Sequence, residues 1–125
     1  MNPSIAIKTT ALAAIFMLLL DAIYLTSMNK VLVNQLTDIQ HAPVRFRILG
    51  AVICYICLLS GLYYFILREH RPIFDAFLLG IVIYGVYEST NYAVFKNWKL
   101  EIVFMDTLWG GILMSLTTFF VYKIM

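Results

Sequence analysis

The sequence predicts an all-α fold, a four-helix transmembrane bundle with both termini on the same side of the membrane. Three observations lead to this prediction. The 125 residues are 62% hydrophobic and only 13% charged, whereas soluble domains average about 45–50% apolar and about 25% charged residues. The apolar residues form four long runs, and each is close to or above the roughly 20 residues that cross a bilayer core. Mostly short links join these runs.

The four predicted spans cover about residues 5–28, 48–67, 73–95 and 102–122. Strands are a poor alternative, because a membrane barrel needs many segments of about ten residues with alternating polarity. A soluble helical bundle would need polar outward faces, which the second run lacks. We therefore expect one integral membrane domain over residues 1–125 that crosses the bilayer several times.

Two of the links carry structural signals. In the longest link, Leu32, Leu36 and Ile39 fall on one helical face, so this segment is predicted to lie in the membrane interface or to extend the first helix. Pro43 would end that helix. In the last link, Trp98 is predicted to act as an interfacial anchor, because its ring has an apolar body and a polar edge.

The second span presents a face of small residues and contains no charge. This face consists of Gly50, Cys54, Cys57 and Gly61. Small residues allow helices to approach closely in lipid, so the span is predicted to be a packing scaffold. The two cysteines lie in an apolar run rather than beside a soluble βαβ unit, which favours packing over redox chemistry.

Three acids interrupt the apolar runs, and each lies in a different span. Asp21 is near the end of the first span, Glu88 is about two turns before the end of the third, and Asp106 is about one turn into the fourth. Because successive spans run in opposite directions, all three lie about 6–11 Å inside the same boundary. A carboxylate in hydrocarbon costs at least about 2.5–3.5 kcal/mol, so the three are expected to converge inside the bundle.

Polar and aromatic residues share the helical faces of these acids. Tyrosine and tryptophan can each donate a hydrogen bond to a carboxylate from an otherwise apolar side chain. Arg47, at the start of the second span, is the nearest basic residue that could reach the acids. The predicted site therefore consists of Asp21, Glu88, Asn91 and Asp106, supported by Tyr24, Arg47, Tyr84, Tyr87 and Trp109.

Cations are scarce at the depth of this site, and three ionised carboxylates would repel one another. At least one acid should therefore hold a proton, unless a divalent or monovalent cation is bound. Oxygen ligands would suit Mg²⁺ or Ca²⁺, whereas the sequence has no zinc motif or nucleophile–histidine set. The identity of any metal or cofactor stays open.

Several stretches are similar to one family over essentially the whole chain. They are Asp21-Ala-Ile-Tyr24, Tyr84-Gly-Val-Tyr-Glu-Ser-Thr-Asn91, Trp98 and Asp106-Thr-Leu-Trp-Gly110. They resemble a family of small bacterial membrane proteins catalogued as domain of unknown function 2177. The resemblance implies a four-helix integral membrane protein and brings no established activity. The family usually has aspartate at the position of Glu88, which reaches one methylene further.

Three functions remain open from the sequence. The first is a proton or cation transport or binding role for the acid cluster. The second is a membrane-embedded lipid-modifying enzyme or enzyme subunit, so enzymatic activity is undecided. The third is a structural or partner-binding role, in which the polar cluster holds the helices together.

The expected partners are the lipid bilayer and further copies of the chain, as glycine-rich helix faces often pack in a homo-oligomer. The net charge of +2 is too small and scattered for nucleic acid. The basic residues are divided almost evenly between the two sides, so the positive-inside rule assigns no orientation.

Overall fold

The computed structural model describes residues 2–42 and 47–125, and the regular elements of this part are all helices. As the sequence predicts, four are long and apolar enough to cross a membrane, counting the turn that extends α3. The helices are α1 (Pro3–Ser27), α2 (Asn29–Gln40), α3 (Ile48–Leu62), α4 (Ile73–Val94) and α5 (Leu100–Ile124), and a π-helical turn at Tyr63–Leu67 continues α3.

Large apolar side chains cover the outside of the bundle. Ile7 on α1, Leu49 on α3 and Val94 on α4 are 72%, 72% and 70% exposed. Soluble monomers rarely present such large continuous apolar surfaces, whereas lipid is itself an apolar solvent. Helices also satisfy their own backbone hydrogen bonds, which is the condition for crossing hydrocarbon. The surface therefore agrees with four spans.

Helices α4 and α5 form the closest packing in the described structure. A methyl group added at Gly80 would overlap the Gly110 carbonyl group and would lie 2.8 Å from the Gly111 Cα atom. The Tyr84 ring fills the space that a side chain at Gly110 would need. Gly80, Gly110 and Gly111 therefore allow the two helices to pack closely, since the contact has no room for a Cβ atom.

The apolar core lies where α1 and α3 meet the α4–α5 pair. Buried side chains from every spanning helix contribute to it, so the spans share one packed interior. Its members are Ala13, Met17, Leu58, Leu62, Ile66, Leu67, Ala76, Leu113, Met114 and Val121.

The small-residue face of α3 does not pack as predicted. A Cβ atom added at Gly50 or Gly61 meets no atom within 4 Å, so the close backbone contact expected at these glycines is not made within the described chain. Cys54 and Cys57, on the same face, are exposed free thiols. The physical reason is that α3 contacts α1 much less extensively than α4 contacts α5. Helix α3 therefore keeps one face open.

The amphipathic link is a separate short helix, α2, which follows α1 after the single residue Met28. Its buried residue is Gln35, which is 2% exposed. The Gln35 amide donates to the Asn97 carbonyl at 2.9 Å and accepts from the Lys99 N–H at 3.0 Å. These two bonds fasten α2 to the α4–α5 loop. The predicted helix end at Pro43 lies outside the described residues.

Candidate functional site

The bundle brings together acids from three helices. Asp21 on α1 is 7% exposed, Glu88 on α4 is 1% exposed, and Asp106 on α5 is half-buried. Every exposed charge in hydrocarbon is costly, so the helices turn these side chains toward one another and toward hydrogen-bond donors. The resulting set of Asp21, Glu88, Asp106 and their donors is called the carboxyl network below.

Asp21 is held by two neutral donors from two other helices. The Tyr55 hydroxyl on α3 donates to its Oδ2 atom, and the Trp109 indole N–H on α5 donates to its Oδ1 atom at 3.0 Å. Each oxygen of the Asp21 carboxyl group thus accepts a hydrogen bond. This arrangement ties α1, α3 and α5 together.

A stacked aromatic pair connects Asp21 to Asp106. The Tyr24 ring lies parallel to the Trp109 ring, with centroids 4.6 Å apart and an interplanar angle of 3°. The Tyr24 hydroxyl donates to the Asp106 Oδ1 atom at 3.1 Å. The two rings therefore fix the spacing of two acids and carry a polar edge toward each of them.

Glu88 has a different environment, because one of its partners is another acid. The Trp98 indole N–H donates to its Oε2 atom at 2.8 Å. The Asp106 carboxyl group lies within hydrogen-bonding range of Glu88. Ionised carboxylates only accept hydrogen bonds. A hydrogen bond between the two groups would therefore need one proton, whereas two ionised groups at this range would repel each other.

No basic side chain forms an ion pair with the network acids among residues 2–42 and 47–125. Arg71 pairs with Asp75 at 2.7 Å in the first turn of α4, about 20 Å along the helix from Glu88 at 1.5 Å per residue. Arg47 is exposed at the start of α3 and makes no described contact with the acids. In the described part of the chain, the network acids thus have neutral hydrogen-bond donors as partners and no basic side chain as an ion-pair partner.

The remaining predicted residues surround the acids without bonding to them. The Asn91 amide nitrogen is buried and has no hydrogen-bond partner among the described residues. Tyr84 packs on Gly110, and Tyr87 is 56% exposed. Both tyrosines line a cavity of about 510 Å³ between α3, α4 and α5. Its other lining residues are Cys54, Cys57, Leu58, Ile83 and Asp106.

Two donors of the network were not identified from the sequence. Trp98 is 7% exposed and binds Glu88, so its predicted role as an interfacial anchor is wrong; the α4–α5 loop turns its ring back into the bundle. The sequence does not predict a role for Tyr55, because the small residues of α3 indicate a packing scaffold. A usable signal was present, since a tyrosine in the middle of an apolar helix needs a partner for its hydroxyl.

The donor set bears on metal binding. Among the described residues, no group of three or more His, Cys, Asp or Glu side chains is arranged to hold a metal ion. Indole and phenol donors occupy carboxylate oxygens that a metal would otherwise need as ligands.

The fold and the network define a class: multi-pass membrane proteins with acids buried between their helices. Over residues 6–123 the chain matches the model of a family described as predicted membrane protein, DUF2177. Because the match covers nearly the whole chain, the chain belongs to this family, and the resemblance inferred from the sequence is confirmed. No curated protein and no solved structure matches the chain.

Proposed function

We propose that this membrane protein binds and transports protons, and that the Glu88–Asp106 pair is the binding site. The observation that supports the proposal most strongly is the contact between the two carboxyl groups. Such a contact holds one proton and releases it when the groups separate or a competing cation arrives. Proton relays in transporters use intramembrane acids in this way.

The surroundings of the pair favour a mobile proton. Glu88 is 1% exposed, so its charge cannot be stabilised by water. The donors around the pair are neutral: Trp98 donates to Glu88, and Tyr24 donates to Asp106. Neutral donors stabilise a carboxylate without pinning it as an arginine or lysine would. Either member of the pair can therefore carry the proton.

The structural alternative fits another part of the network. Asp21 accepts from Tyr55 and Trp109 and needs no proton, which is the arrangement expected of a residue that links helices. A purely structural role does not account for two acids in direct contact, since an amide at either position would make the same bond without a proton. We therefore assign the linking role to Asp21 alone.

We further propose that the chain works as a homo-oligomer. The support is the open face of α3, where Gly50 and Gly61 have no neighbour within 4 Å of an added Cβ atom. A second copy could pack closely at these two glycines, which do not line the cavity between α3, α4 and α5. Native mass spectrometry in several mild detergents tests this, and a monomer mass in all of them would contradict it.

Proton transport is testable in lipid vesicles that contain a pH-sensitive dye and the purified protein. A potassium gradient with valinomycin supplies the driving potential. Wild-type vesicles should change internal pH faster than empty vesicles, and Glu88→Gln should behave like empty vesicles, because an amide cannot release a proton. Asp75→Asn is the matched control, since Asp75 lies on the same helix but pairs with Arg71 outside the network.

Two results would overturn the proposal. Wild-type vesicles that match empty ones would contradict transport. A Glu88→Gln variant that conducts like the wild type would contradict the role of the pair. Circular dichroism and size-exclusion profiles of each variant confirm that a loss of flux does not come from misfolding.

A further inference from the structure

The cavity between α3, α4 and α5 carries chemistry that proton binding alone does not use. Its volume of about 510 Å³ lies within the range of about 300–1,000 Å³ that is typical of small-molecule sites. Leu58 and Ile83 make part of its wall apolar, and two tyrosines line it as well. Among its described lining residues, the one acid is Asp106, which is a member of the proposed proton pair.

The charge around this cavity is one-sided. In the described part of the chain, no basic side chain pairs with Asp106 or with its partner Glu88. The described titratable groups around the cavity are acids, phenols and thiols, so they add no positive charge. Tyr24 donates to Asp106, and Tyr55 donates to the neighbouring Asp21. The cavity wall adds Cys54, Cys57, Tyr84 and Tyr87.

We infer that the cavity binds a monovalent lipophilic cation, a quaternary or protonated amine with apolar substituents, in exchange for the proton of the pair. The inference rests on the proposed function, because it names the ligand that competes with the proton there. The carboxyl group of Asp106 favours a positively charged ligand, and the apolar walls favour apolar substituents on that ligand.

The exchange is balanced in charge. The pair starts with one proton and a net charge of −1, and it releases that proton to water as the cation enters. The two carboxylates then carry −2 and the cation +1, which restores a net charge of −1. The faces of Tyr84 and Tyr87 line the same space and can stabilise the cation further through cation–π contact.

A lipid acyl chain is the competing occupant. A chain would match the apolar wall but would leave Asp106 facing hydrocarbon without a counter-charge, which is costly. A cation with apolar groups satisfies both parts of the cavity at once. The two occupants differ in their dependence on Asp106, and the experiment uses this difference.

Tetrabutylammonium is a suitable probe because its permanent charge prevents it from releasing a proton itself. Titrated into the protein in lipid nanodiscs at neutral pH in weak buffer, it should bind and release up to one proton per cation. Tetramethylammonium carries the same charge without the apolar substituents. It should bind more weakly by at least about tenfold, because its methyl groups leave most of the apolar wall uncovered.

Two pairs of variants separate charge from shape. Asp106→Asn should weaken tetrabutylammonium binding by at least about tenfold, whereas Asp75→Asn should leave it unchanged. Cys54→Phe places a ring inside the cavity and should also weaken binding. Ile56→Phe adds a ring on the same helix at an exposed position that does not line the cavity, and it should bind like the wild type.

Binding that survives Asp106→Asn would overturn the inference and identify the cavity as a lipid crevice. An absence of binding would overturn it too, and so would binding without proton release. Its failure is distinguishable from failure of proton transport. Loss of flux in Glu88→Gln together with no cation binding leaves the proton role standing, whereas Asp106-dependent cation binding without any proton flux leaves only the ligand site.

Discussion

Asp21 and the Glu88–Asp106 pair lie in the same network, but their partners differ in kind. Asp21 accepts one hydrogen bond on each oxygen, from Tyr55 and Trp109. Glu88 accepts one bond from Trp98 and meets a second carboxyl group on its other side. Asp21 therefore has a neutral donor for each oxygen, whereas a hydrogen bond within the pair needs a shared proton.

Burial alone therefore does not assign a role to an intramembrane acid. Asp21 and Glu88 are both less than 10% exposed, at 7% and 1%. What separates them is the count of donors around each group. A complete set of neutral donors indicates a structural link between helices, whereas an acid in contact with another acid indicates a site that can exchange protons.

Asp21→Ala should lower the free energy of unfolding more than any other substitution considered below. The substitution strands the Tyr55 hydroxyl and the Trp109 N–H inside the bundle, at a cost of about 1–3 kcal/mol for each donor. Unfolding in mixed detergent–dodecyl sulfate micelles measures the loss. Asp75→Ala is the control, since a surface ion pair contributes only about 0–1 kcal/mol. Equal losses in the two variants would contradict the structural role of Asp21.

A second, smaller contrast comes from the two tryptophans. Trp109→Phe removes one of the two donors that hold Asp21 and should cost about 1.5–3 kcal/mol, the range for a charged partner. Trp98→Phe removes a donor from a group that shares a proton and should cost only about 0.5–1.5 kcal/mol, the range for neutral partners. The same unfolding assay ranks the two variants. A larger loss for Trp98→Phe would mean that Glu88 is the ionised acid.

The amide substitutions should change stability least. Asp21→Asn can accept from Trp109 and donate to the Tyr55 oxygen, and Glu88→Gln can accept from Trp98 and donate to Asp106. Each should therefore unfold within about 1 kcal/mol of the wild type. Their proton flux in vesicles should differ sharply, with Asp21→Asn active and Glu88→Gln inactive. Equal flux would remove the distinction between the two acids.

The sequence predicted the four spans because length and hydropathy alone decide them. It also predicted that Asp21, Glu88 and Asp106 would meet, because span direction and helical rise determine depth. Rotation of each helix about its axis was not predictable in the same way. Helix α3 is apolar on every side, so its pattern did not show that Gly50 and Gly61 face open space rather than a neighbour.

The donors of the site were harder to predict than its acids. Trp98 lies in a loop, and a loop residue has no helical phase from which its direction could be worked out. Gln35 binds that loop through the Asn97 carbonyl and the Lys99 N–H. These two hydrogen bonds join residues that are 62 and 64 positions apart in the sequence. Contacts of this kind depend on tertiary packing and leave no periodic signal in the sequence.

Infrared spectroscopy of the purified protein in lipid tests the shared proton most directly. With ¹³C-labelled glutamate and aspartate carboxyl groups, a protonated carboxyl group gives an isotope-shifted carbonyl band that ionised groups lack. A proton shared by Glu88 and Asp106 should give this band in the wild type and in Asp21→Asn at neutral pH, and the band should be lost in Glu88→Gln and Asp106→Asn. A wild-type spectrum without the band, or a band that persists in Glu88→Gln, would rule out the shared proton.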